Sequence, residues 1–92
     1  MSPDKNILDR LEKTAFEFLL TDLNLAMTMA RIASDSLDDP EKKTRNQENA
    51  RKAYDAVLHL SSKSKLSESE RGEVNGKLGH LRSSLEALGE VF

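Results

Sequence analysis

SESERGEVNGKLGHLRSSLEALGEVF, residues 67–92, carries two opposed signals, and the fold depends on which one wins. Val74, Leu78, Leu81, Leu85, Leu88 and Phe92 recur at spacings of 4, 3, 4, 3 and 4. That is the seam of an α-helix packed along one side. Gly72, Gly76 and Gly79, with Ser83, form a row almost opposite the seam. Each glycine inside a helix costs roughly 1 kcal/mol relative to alanine, because the backbone gives up more freedom on folding. Burying each apolar side chain of the seam contributes roughly 1.5–3 kcal/mol. The seam outweighs the glycines, and the stretch reads as a helix. Its limits are marked as well. Ser67 with Glu70 makes a capping box, and Gly89 stands where a helix stops.

The same punctuation recurs upstream. Ser2 with Pro3 reads as an N-cap and a first helical residue, since proline has no N–H to lose there. In SLDDPEKK, residues 36–43, Asp38 or Asp39 caps, Pro40 opens, and Glu41 faces the positive end of the helix. Three helices follow, roughly 3–37, 40–63 and 67–89, with short connections. The chain has 92 residues, 37% hydrophobic and 33% charged, with only four aromatics: Phe16, Phe18, Tyr54 and Phe92. Packed amphipathic helices suit that balance better than sheets do. The expectation is one all-α domain over residues 1–92, an antiparallel three-helix bundle.

The lengths complicate this picture. The first helix would run about 50 Å, against about 35 Å for each of the others. Either it breaks near Thr21-Asp22, where Thr21 is placed to cap a second segment, or its first half projects. Its main apolar face is made by Leu8, Leu11, Ala15, Phe18, Leu19, Leu25, Ala26, Met29 and Ala33. Asp22 falls in the middle of that face. A buried, unpaired carboxylate there would be expensive, so a helix break or a partly wet position is the simpler account.

A second apolar row, Phe16, Leu20, Leu23 and Met27, lies roughly 100° around the helix. One neighbouring helix cannot cover both faces. Either the first helix is wedged between the other two, or part of its surface meets another chain, with Ile7, Leu8 and Leu11 adding to it. The row of Gly72, Gly76 and Gly79 is a second candidate contact, because bare backbone lets a helix approach closely. Both surfaces imply a helical protein–protein interaction module, with a homodimer or another helical protein as the partner.

The second helix begins EKKTRNQENARK, with no apolar residue from Glu41 to Asn49. Lys42, Lys43, Arg45, Arg51 and Lys52 are candidate phosphate contacts, which makes weak nucleic-acid binding the rival function. Glu41 and Glu48 interrupt the cluster, and it has no aromatic for base stacking. Further on, NARKAYDAVLHL resembles the second helix of a tetratricopeptide repeat. Ala50, Tyr54 and Val57 occupy the small, aromatic and small-apolar positions, and Leu60 follows. The likeness covers residues 50–60 and implies a protein-binding helical scaffold.

Other classes find little support. A net charge of −2 gives no long-range attraction to nucleic acid or anionic membrane. The absence of cysteine rules out disulfides and thiol chemistry. No apolar run approaches the roughly 20 residues of a membrane span, and the start lacks a secretory signal pattern, so a soluble cytoplasmic protein is expected. His59 and His80 have Lys63 and Ser84 four residues on, which is no zinc pattern. The glycines are not followed by the Lys-Ser or Lys-Thr of a phosphate loop, and no serine sits in a nucleophile elbow. The expectation is no enzyme, no cofactor, no metal and no small-molecule ligand.

Overall fold

The computed structural model describes the backbone of residues 3–92 and the side chains of residues 14–92. Ser2 and the side chains of Ile7, Leu8 and Leu11 lie outside the described residues. The chain forms three helices, α1 (Pro3–Asp35), α2 (Pro40–Lys63) and α3 (Glu68–Ala87), and each touches the other two. It is an all-α three-helix bundle, and no strand occurs among the described residues.

The caps explain the boundaries. Asp39 accepts a hydrogen bond from the Lys42 N–H at 3.1 Å, with Pro40 as the first helical residue of α2. Ser67 closes the expected capping box. Its hydroxyl accepts from the Glu70 N–H at 3.1 Å, and the Glu70 carboxylate accepts from the Ser67 N–H at 2.9 Å. Two donors that a helix start leaves orphaned are thereby satisfied. At the other end, the Glu90 and Gly89 N–H groups donate to the Leu85 and Glu86 carbonyls, both at 3.0 Å. This pairing is a Schellman motif, and it needs a left-handed residue at Gly89, whose φ is +101°.

The first helix does not break. Backbone helix continues through Thr21 and Asp22, and the Thr21 hydroxyl bonds back to the Glu17 carbonyl at 2.9 Å instead of capping a new segment. At 1.5 Å per residue α1 spans about 50 Å, against about 36 and 30 Å for α2 and α3. Of the two alternatives for the long helix, the continuous one holds.

The core draws one line of residues from each helix. Leu19, Leu23, Ala26 and Ala30 of α1 meet Ala50, Tyr54 and Val57 of α2 and Val74, Leu78, Leu81 and Leu85 of α3. The α1 line lies between the two faces read from the sequence. Leu23 is fully buried, and Phe16, Leu20 and Met27 pack against the core. Conversely, Phe18 and Leu25, expected on the main buried face, are 54% and 55% exposed. The apolar arc of α1 is wider than two neighbours can cover, so one flank is left outside.

Phe92 needs a second correction. Its place at the end of the α3 seam assumed continuing helix, but the turn at Gly89 takes the chain off the axis. Phe92 instead folds back beside Tyr54, with ring centroids 4.9 Å apart and planes at 72°.

At the opposite end Arg71 ties α3 to α2. Its guanidinium donates to the Ser61 carbonyl at 3.3 Å and the Ser64 carbonyl at 3.1 Å. A cation is favoured there by the negative end of the α2 dipole and its unpaired carbonyls.

Candidate functional site

Three surfaces carry the residues singled out from the sequence. The first is the exposed flank of α1. Phe18 and Leu25 are seven residues apart, so they project within about 20° of each other, roughly 100° from the buried line. Met29, half-buried, continues the same side, and half-buried Asp22 sits between Phe18 and Leu25. This position is partly wet, so the carboxylate avoids the cost of full burial. Of the row Phe16, Leu20, Leu23 and Met27, only Leu23 is fully buried; the other three are partly buried against the core.

The second surface is the glycine row. Gly72, Gly76 and Gly79 are exposed, and a Cβ built on any of them meets no atom within 4 Å. Among the described residues, no close helix approach accounts for them. His80, beside this row, and His59 on α2 are both exposed.

The third is the basic start of α2. At 100° per residue, Lys42, Arg45 and Lys52 fall within about 80° of one another, whereas Lys43 and Arg51 lie on other sides of the helix. Lys43 is half-buried on the side facing the core, whereas Lys42, Arg45 and Lys52 are exposed. A shallow depression lies beside Pro40, Glu41, Thr44, Arg45 and Glu48, all from one helix. Among the described residues, none from a second element lines it.

Arg51 has a different occupation. Its guanidinium pairs with Asp55 at 3.3 Å and with Glu90 at 3.3 Å, and it donates to the Val91 carbonyl at 2.8 Å. Gln47 donates to the second Glu90 oxygen at 2.7 Å. The Arg51 guanidinium carbon also lies 3.9 Å from the centre of the Phe92 ring, and that of Arg82 lies 4.9 Å from it. Arg82 is fixed in turn by Glu86, four residues on, at 3.0 Å. Residues 90–92 are thus clasped by Gln47, Arg51 and Tyr54 of α2 and by Arg82 of α3. Sequence reading missed this cluster. Its α2 members lie about 40 positions from residues 90–92, and no local spacing links them.

Among the described residues no three His, Cys, Asp or Glu side chains gather as metal ligands, and no helix is long and apolar enough to cross a membrane. Every buried side-chain nitrogen and oxygen among them has a hydrogen-bond partner. Compared with protein-family models, curated proteins and solved structures, the chain shows no match.

Proposed function

We propose that this chain is a small, non-catalytic interaction module of the cytoplasm that self-associates through the apolar flank of α1. One observation carries the reading: Phe18 and Leu25 are more than half exposed on one side of a long helix whose other apolar flank is partly buried against the core. Large apolar side chains grouped on a surface mark contact sites more often than scattered ones do. A second copy, bringing the same flank, covers both pairs with one symmetric contact. The tetratricopeptide-like spacing of Ala50, Tyr54, Val57 and Leu60 also favours protein binding over catalysis. Nucleic-acid binding has weaker support, because Arg51 is already engaged, Lys43 faces the core, and Glu41 and Glu48 lie beside the remaining cations Lys42, Arg45 and Lys52.

The test is the mass of the chain in solution, by sedimentation over a range of concentrations at low and high salt. Reversible dimerisation that survives high salt is expected, and Leu25→Glu should abolish it. A wild-type chain that stays monomeric at the highest concentration would overturn the reading. Binding to a nucleic acid that weakens steeply as salt rises would favour the rival.

A further inference from the structure

The clasp around residues 90–92 reads three features of a short segment. Gln47 and Arg51 take the Glu90 carboxylate, Arg51 takes the Val91 carbonyl, and Arg51, Arg82 and Tyr54 surround the Phe92 ring. The middle side chain goes unread: Val91 is 84% exposed. Two helices build the seat, and its parts are held by contacts of their own, Arg51 by Asp55 and Arg82 by Glu86. The segment they hold follows the turn at Gly89, whose positive φ takes the chain off the α3 axis, and Phe92 remains 39% exposed in place.

We propose that this seat is a peptide-docking site for an acidic–X–aromatic segment of a partner protein, and that the chain's own Glu90–Phe92 is its resident competitor. The chemistry of the occupant follows from the seat. Guanidinium groups pair with a carboxylate and also stack on the face of an aromatic ring. An aliphatic residue in the third position forfeits the stacking, and a basic residue in the first meets Arg51 as a like charge. The resident segment sets the threshold. Tethered by a few residues, it acts at an effective concentration on the millimolar scale, so an external peptide must exceed that or meet a weakened resident segment.

The experiment is an NMR titration of the full chain with acetyl-LGEVF-amide, both ends blocked, and with the same peptide carrying alanine for phenylalanine. Chain variants Phe92→Ala and Glu90→Ala each weaken the resident segment. Their affinity for the LGEVF peptide should be at least tenfold higher than that of the wild-type chain. Shifts should centre on Gln47, Arg51, Tyr54 and Arg82. The alanine peptide should bind at least tenfold more weakly, and adding Arg82→Glu to Phe92→Ala should remove binding. Equal affinity for wild-type and variant chains, shifts centred elsewhere, or no binding to either variant would overturn the proposal. So would loss of fold in both variants, since a releasable segment cannot be what holds the bundle together.

Discussion

A methyl group added at Gly72, Gly76 or Gly79 would meet no atom within 4 Å, and none of the three has a positive φ. Alanine at each should therefore stabilise the chain by about 0.4–1 kcal/mol, through helix propensity and a less disordered unfolded state. The triple variant should unfold at higher urea with an unchanged denaturant slope. A triple variant that is less stable, or that loses any self-association the wild type has, would show that a partner backbone packs on this face. Gly89 behaves oppositely. With φ at +101°, any side chain there is strained, and Gly89→Ala should destabilise by about 1–2 kcal/mol in the same assay. These two glycine classes were legible from position alone: three inside a helical pattern, one just past its end. What Phe92 and Arg51 do was not legible. Spacing carries Phe92 straight along the seam, and only the turn at Gly89 swings it towards Tyr54. The partners of Arg51 at Glu90 and Val91 are about 40 residues distant, beyond the reach of any helical periodicity.

Helix limits came through at the level of elements because capping is local chemistry. Asp39, Pro40, Ser67 and Glu70 each act within four residues of their own position. Removing one cap should have a measurable effect. Ser67→Ala leaves the Glu70 N–H without its acceptor and should cost about 1 kcal/mol of stability in thermal or urea unfolding. Glu70→Gln should lose much less, since an amide oxygen can still accept from the Ser67 N–H. Equal losses from the two changes would mean that charge at the helix start, and not the reciprocal hydrogen bonds, supplies the stabilisation. The orientation of α1 was harder to read, for a physical reason. Its apolar residues cover more than half the helix circumference, so periodicity identifies a helix without saying which line faces inward. Packing decided it: the small residues Ala26, Ala30 and Ala33 allow close approach along the buried line, and the bulkier Phe18 and Leu25 were left on the flank. Thr21 and Asp22 suggested a break only because that centre was misplaced by roughly half a face.

For the whole molecule, size sets the terms. A 92-residue chain buries only about 60–65% of its unfolded surface, so its stability is marginal and association shifts it noticeably. If the α1 flank joins two copies, only the folded chain binds its partner, and mass action couples stability to concentration. The midpoint of thermal unfolding should then rise with protein concentration, in steps that follow its logarithm. Phe18→Glu with Leu25→Glu should abolish that dependence. Both side chains are more than half exposed, so the double change leaves the core of Leu19, Leu23, Ala26 and Ala30 intact. The variant should match the wild type at high dilution and fall behind it as concentration increases. Coincident midpoints for wild type and variant at every concentration would mean that the flank stays wet. A concentration dependence that persists in the variant would move the contact elsewhere on the bundle. The glycine row would then be next to test, and bulk at Gly76, as Gly76→Leu, is the change that would block it.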